Sequence, residues 1–280
     1  MPDHSMFHRP AKLLAVGGLL VAALLAGQTA FAQTIVGSRH DLTSTGTGSI
    51  KQTSTTDICV FCHTPHGAAA IGPLWNKTAP AGPFTLYASP AMDSTALSAT
   101  GSTSVMCLSC HDGVGSFDNM INKAGSGGYN AGGALAGYTW VGGVTTHAGS
   151  GIRNIGLDLT NDHQIGAAYC GGFTAGACRD AAFKIATLNH RVGAVTTTGT
   201  GAATTGGALT DSYWVDSTGG TNSVREKTDM ILYTRAYTTP AGNFPSVECA
   251  SCHDPHNPVY GAFMRMSNAA SAMCIACHSK

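Results

Sequence analysis

The residues that could do chemistry in this chain are cysteines and histidines, and most of them fall into one pattern, C-x-x-C-H, that occurs four times. The copies begin at Cys59, Cys107, Cys249 and Cys274, and we number them motifs 1 to 4. Two thiols at this spacing can form thioether bonds to the two vinyl groups of a haem, and the adjacent imidazole then falls under the iron as its proximal ligand. The pattern therefore predicts four covalently bound c-type haems, each containing iron.

The predicted haem set contains twelve side chains. The attachment residues are Cys59, Cys62, Cys107, Cys110, Cys249, Cys252, Cys274 and Cys277. The proximal ligands are His63, His111, His253 and His278. A structural zinc site or a redox-active dithiol also uses paired cysteines, but neither requires a histidine after every second cysteine.

Hydroxyl residues precede every motif at the same distance. Thr56, Ser104, Ser246 and Ser271 each stand three residues before a first motif cysteine. Because Ser and Thr are favourable N-caps, we expect a short helix to begin at each of them and to carry the motif.

The N-terminus has the pattern of a cleaved signal peptide, residues 1–32. An apolar run over residues 13–25 follows a cationic start, and Ala30, Phe31 and Ala32 fit an A-x-A cleavage site. The mature chain is then residues 33–280, with no membrane anchor after cleavage; a retained anchor is the alternative. Export agrees with haem attachment, which in bacteria takes place outside the inner membrane.

Two cysteines lie outside the motifs. Cys170 and Cys178 have no histidine after them, and in an oxidising compartment their spacing predicts a disulfide that closes a small loop. Free thiols or a fifth ligand set are the alternatives.

Composition sets the expected fold. Basic and acidic side chains balance at 15 each, so no basic surface for nucleic acid is expected, and a charged fraction of 11% does little to resist self-association. Residues 112–248 are rich in Gly, Thr and Ala, and only short stretches such as 138–141 and 230–234 have the pattern of strands. We therefore predict a multihaem c-type cytochrome of mostly irregular structure, with short helices at the motifs and a few short strands, packed as one domain around a haem core.

Six histidines remain as candidates for the distal ligands of the four irons. They are His40, His66, His147, His163, His190 and His256. His66 and His256 each follow a proximal histidine by three residues, in a repeated C-x-x-C-H-x-P-H phrase, so they can reach a neighbouring haem but not the far face of their own. His147 and His190 lie in Gly/Thr-rich stretches, where ordinary exposed histidines are expected. Methionine ligation is a further alternative, although Met106 and Met273 are badly placed for it.

Around these motifs the chain resembles the OmcE-type tetrahaem cytochromes, which polymerise into extracellular cytochrome nanowires. The similar blocks are residues 38–42, 59–66, 73–77, 84–87, 104–112, 161–163 and 247–253. The resemblance implies bis-histidine ligation of all four haems, with His40, His66, His163 and His256 as distal ligands. It also implies a continuous chain of haems and head-to-tail self-association, in which one distal histidine comes from the neighbouring subunit; His66 is our expectation for that residue.

These observations favour an electron carrier without substrate chemistry, and not an enzyme. The leading hypothesis is a secreted subunit of a conducting filament, extracellular or at the cell surface, which exchanges electrons with other redox cytochromes or extracellular acceptors. A monomeric periplasmic or cell-surface shuttle is the alternative. A multihaem reductase would need one iron with an open coordination site.

Overall fold

The chain is described by a computed structural model. The described residues are 34–80, 82–93, 97, 103–125, 127–133, 137–149, 151–174, 177–184, 188–192, 195–197, 211–217, 226–239 and 241–279. The predicted signal peptide lies outside them. No helix in these ranges is long and apolar enough to span a bilayer.

Ten strands are present in the described ranges. In chain order they are β1 (Thr85–Leu86), β2 (Asp158–Leu159), β3 (Ala167–Ala168), β4 (Phe173–Thr174), β5 (Ala177–Cys178), β6 (Leu188–Val192), β7 (Val195–Thr197), β8 (Asp211–Val215), β9 (Met230–Thr238) and β10 (Ala241–Val247). Six of them form an antiparallel sheet in the order β3-β10-β9-β8-β6-β7, whereas β1 pairs in parallel with β2 and β4 pairs with β5. Since β10 ends two residues before Cys249, the sheet fixes where motif 3 begins.

Each motif lies on a short helical segment, in agreement with the expectation from the sequence. Motif 1 begins on a 3₁₀ turn, Ile58–Phe61, and motif 2 lies on the longest helix, Ser104–His111. Motif 3 lies on the helix Cys249–Cys252, and motif 4 lies on the helix Ala272–Cys277. Because the helices are so short, packing and not propensity must hold them.

The predicted N-caps are mostly wrong. Ser104 is the first helical residue, and its hydroxyl donates to the buried carboxylate of Glu248 instead of capping its own helix. Asp57 and Glu248 stand at the cap positions of motifs 1 and 3. Ser271 does precede the motif 4 helix, but no hydrogen bond from its side chain caps that helix.

Two apolar clusters hold the motifs. One contains Phe61, Phe117, Met120 and Trp140, and the cysteines Cys62 and Cys110 pack against it, so it supports motifs 1 and 2. The other consists of sheet residues such as Tyr213, Val215, Met230 and Leu232 together with Met273 and Ala276 of the motif 4 helix, and Cys252 and Cys277 pack against it. The sheet is thus the support for motifs 3 and 4.

The sheet is larger than the sequence suggested. The expected strand at 230–234 is part of the nine-residue strand β9. Residues 138–141 form no strand; Trp140 makes one isolated bridge with Gln52 and a 3₁₀ turn begins at Val141. The correction follows from the side chains, because Trp140 is buried against Phe61 and Phe117 instead of lying in a pleated ladder.

The predicted disulfide between Cys170 and Cys178 is present. The segment that follows it reaches motif 4, since Lys184 N donates to Cys277 O and Ser279 N donates to Ala182 O. The ring of Phe183 lies 4.4 Å from that of His278. The disulfide-closed loop therefore leads directly into the support of the last motif.

Candidate functional site

The second cysteines of the first two motifs lie near each other. Burial raises the pKa of the Cys62 thiol to about 12, and the charge of nearby Cys110 adds to the shift. Both cysteines pack against the cluster that contains Phe61 and Phe117. Groups attached to these two sulfur atoms would therefore lie side by side.

The later motifs continue the same sequence of contacts. The thiols of Cys107 in motif 2 and Cys249 in motif 3 lie close together, and their interaction raises the pKa of Cys107 and lowers that of Cys249. Burial raises the pKa of Cys277 in motif 4 to about 12, with the charge of Cys252 in motif 3 as the next cause. Consecutive motifs therefore lie near one another, in the order in which they occur in the sequence.

A buried carboxylate joins motifs 2 and 3. Glu248 is fully buried, and its carboxylate accepts from Ser104 Oγ at 2.5 Å and Ser246 Oγ at 3.1 Å and pairs with Arg235 Nη1 at 3.3 Å. In the other direction, Cys249 N donates to Ser104 Oγ at 3.0 Å. The N-termini of the two motif helices are thus tied to one group.

Three proximal histidines are oriented as metal binding requires. The Nδ1 atoms of His63, His111 and His253 each hydrogen-bond to a main-chain carbonyl oxygen. The acceptors are Pro73 O at 2.9 Å, Arg153 O at 2.8 Å and Ala262 O at 2.7 Å, in that order. A proton on Nδ1 leaves the lone pair of Nε2 for a metal, and the hydrogen bond fixes the ring plane. These imidazoles can therefore bind iron through Nε2.

Two of the spare histidines face a proximal histidine at the spacing of an axial pair. The ring centroids of His63 and His256 are 6.2 Å apart, with planes inclined by 19°. Those of His111 and His40 are 6.3 Å apart, with planes inclined by 68°. With metal–nitrogen bonds of about 2 Å, two imidazoles on opposite sides of one metal ion have centroids about 6 Å apart. The geometry thus brings His256 to motif 1 and His40 to motif 2.

Packing holds His40 in this position. Its ring stacks on Phe263 at 4.1 Å, and its Nδ1 lies 3.3 Å from Pro255 O. Burial lowers the pKa of both His40 and His111. Burial therefore favours the neutral imidazole, which is the form that binds a metal.

The fourth motif has its own neighbour. Burial lowers the pKa of His278, and the charge of His163 is the next cause of the shift, so these two histidines are close. The Nδ1 atom of exposed His163 lies 3.0 Å from Gln164 O, which orients its ring in the same way as the proximal histidines.

His66 is placed differently from the other predicted ligands. Its imidazole is exposed, while its carbonyl oxygen is fixed by Asn122 Nδ2 at 2.8 Å and Thr64 Oγ1 at 3.0 Å. In the described part of the chain, neither His66 nor His253 makes a ring contact with another histidine. His66 therefore presents an exposed imidazole on a fixed backbone, and His253 has no ring contact with a second histidine among the described residues.

His147 corrects an expectation from the sequence. It is buried, not exposed, and its ring stacks on His111 at 4.6 Å while Phe117 packs edge-on against it at 4.7 Å. Desolvation lowers its pKa to about 4. No spacing pattern predicts this position, because the three rings come from separate parts of the chain. His190 lies in β6, and its side chain is outside the described residues.

Several buried ring nitrogens of the described residues make no hydrogen bond. Trp75 Nε1, Trp140 Nε1 and His147 Nδ1 have no hydrogen-bond partner within the described ranges. Trp75 stands edge-on to His63 at 5.7 Å, and His147 contacts His111. Because buried polar atoms are normally satisfied, these nitrogens fit the carboxylates that haem propionates would bring beside the proximal ligands. The donor set and its surroundings thus fit haem.

A comparison with protein families agrees with this geometry. Residues 242–280, which contain motifs 3 and 4, match the family described as the doubled CXXCH motif. The match supports a multihaem c-type cytochrome. Covalently bound c-type haem and electron transfer follow from that class. No curated protein matches the chain.

The zinc alternative finds no ligand set in the described part of the chain. Among the described residues, no group of three or more His, Cys, Asp or Glu side chains is arranged to hold a metal ion directly. None of the eight motif cysteines is in a disulfide, whereas Cys170 and Cys178 are paired with each other.

Proposed function

We propose that this cytochrome carries electrons through four bis-histidine c-type haems and that it is the subunit of an extracellular conducting filament. The two imidazole pairs, His63 with His256 and His111 with His40, carry the proposal. Each bound haem iron would accept and release one electron, while the chain keeps both axial nitrogens in place in either redox state. Little then reorganises on transfer, and no site remains for a substrate. The proposal includes no enzymatic activity.

The order of motif contacts supports electron transfer along the chain. Cys62 of motif 1 lies near Cys110 of motif 2, Cys107 of motif 2 near Cys249 of motif 3, and Cys252 of motif 3 near Cys277 of motif 4. Four haems attached there would form one continuous row. The residues between them hold the spacing, exclude water and orient the ligands.

The proposal of a filament is based on two histidines, His66 and His253. We assign His163 to motif 4, beside His278, which leaves His253 of motif 3 without an assigned distal histidine among the described side chains. His66 is exposed on a fixed backbone, so His66 of one copy can complete the motif 3 site of the next. A head-to-tail contact between two different surfaces does not close on itself and builds a helical filament. Secretion to the outside of the cell, and electron exchange with other cytochromes or extracellular acceptors, belong to the same proposal.

Electron microscopy of the haem-staining material released by cells that express the chain tests this directly. Filaments with four porphyrins in each repeating subunit would support the proposal, and the density would show every axial ligand. Discrete single-chain particles with four haems would instead support a soluble tetrahaem shuttle in the periplasm or at the cell surface. Stoichiometric carbon monoxide binding to one reduced haem within intact filaments would contradict four closed sites.

A further inference from the structure

Lys77 is a buried lysine beside motif 1. Lys77 is only 2% exposed to solvent. Its Nζ donates to three main-chain carbonyl oxygens, Ser116 O at 3.1 Å, Phe117 O at 2.8 Å and Asn119 O at 3.2 Å. Three acceptors around one nitrogen match the three protons of an ammonium group, since a neutral amine has only two to donate. The geometry therefore describes a buried positive charge.

Among the described residues, no carboxylate oxygen lies within 4.0 Å of Lys77 Nζ, although that distance includes the pairs of Glu248 with Arg235 and of Asp254 with Arg265. Carbonyl dipoles satisfy the hydrogen bonds but cancel only part of the field of the ammonium group. In a water-excluded site, such a field extends to neighbouring groups with little screening.

The nearest chemical groups belong to motif 1. Asn76, the residue before Lys77, donates its N–H to Cys62 O at 2.8 Å and its Nδ2 to Val60 O at 2.6 Å. Trp75 pairs with His63 through an isolated bridge. Lys77 is thus held against the segment that would carry the first haem.

We propose that Lys77 raises the reduction potential of the haem at motif 1. The inference rests on the proposed haem attachment at that motif. Adding one electron removes one unit of positive charge from a ferric site, so a fixed cation nearby favours the reduced state. A buried charge of this kind changes the equilibrium for one-electron reduction by about tenfold, which corresponds to about 59 mV. Lys77 would thereby favour the presence of an electron on the haem at motif 1 over the other haems in the row.

Potentiometric titration of the haem-loaded protein tests the inference, with haem content measured by mass spectrometry. Lys77→Gln removes the charge and keeps donors for the carbonyls, and one reduction step should move to lower potential by about 59 mV, a tenfold change for one electron. Lys77→Arg keeps the charge and should leave that step in place. Lys123→Gln is the matched control, since Lys123 is only half-buried with its Nζ 5.6 Å from the Tyr138 ring centroid, and it should leave all steps unchanged.

A second variant tests the inference without a substitution at position 77, where a change could cause misfolding. Asn119→Asp adds a negative charge on an exposed residue whose carbonyl accepts from Lys77, leaves the three carbonyl bonds in place, and should lower the same step at low salt. A fully haem-loaded, low-spin Lys77→Gln protein with unchanged steps would overturn the inference, as would an unchanged titration of Asn119→Asp. An unmodified protein that lacks haem at motif 1 would refute the proposed function itself.

Discussion

Glu248 offers a direct test of how the fold holds two haem motifs together. Its carboxylate joins Ser104, at the start of the motif 2 helix, to the strand residues Ser246 and Arg235. The side chain of Glu248 is 0% exposed and that of Arg235 is 15% exposed, so water screens the pair weakly. Glu248→Ala should therefore destabilise the protein and loosen the contact between motifs 2 and 3.

The size of the effect follows from these contacts. Hydrogen bonds to charged groups are each worth about 1.5–3 kcal/mol, but three of them on one carboxylate are not additive. Removal of one member of a buried ion pair costs about 3–5 kcal/mol. We expect Glu248→Ala to lower the free energy of unfolding by about 3–5 kcal/mol and Glu248→Gln, which keeps one acceptor oxygen, by about 1–3 kcal/mol.

Chemical unfolding of the haem-loaded variants, followed by circular dichroism in the Soret band, measures this change. Asp158→Ala is the control, because Asp158 is an exposed carboxylate that accepts from Thr160 N and Oγ1. This substitution should leave the free energy of unfolding little changed. An alanine at 248 that destabilises the protein no more than this control would show that Glu248 does not tie the motifs together.

Three further predictions concern the ligands and the disulfide. His256→Ala should leave four haems attached and convert one to high spin in visible and electron paramagnetic resonance spectra; an unchanged low-spin spectrum would remove His256 from motif 1. His66→Ala should abolish filaments in electron micrographs while the haem count stays at four, and persistent filaments would exclude His66 as the ligand between subunits. Replacing Cys170 and Cys178 together by serine should lower the free energy of unfolding by about 2–3 kcal/mol for a loop this short, and the spectrum of the motif 4 haem should change more than the others.

The haem motifs were readable from the sequence because their chemistry is contiguous. Five consecutive residues specify attachment and one ligand, so no tertiary information is needed. The disulfide could be predicted for the same reason, because its two cysteines are separated by only 8 positions in the sequence. The six-stranded sheet was not readable, because β10 contains Gly242 and Pro245, residues that usually argue against a strand, and its neighbours in the sheet compensate for them.

Long-range contacts explain the other differences between the predictions from the sequence and the structure. Ser104 looks like an N-cap in its local sequence, but its hydroxyl binds Glu248, far along the chain. His147 looks like an exposed loop histidine, but Phe117 and His111 bury it. Pairing His256 with His63 likewise required the fold, since spacing indicated only that His256 could reach some neighbouring haem.

The distance in sequence between His63 and His256 affects the order of maturation. In the proposed exported protein, motif 1 would leave the export machinery first, whereas the histidine that faces it follows motif 3, nearly 200 residues later in the sequence. Contacts between such distant segments form late, because the loop between them must close first. The first site to be translated would thus be among the last to acquire its complete coordination, and spectra recorded during assembly would show its iron as the slowest to reach low spin.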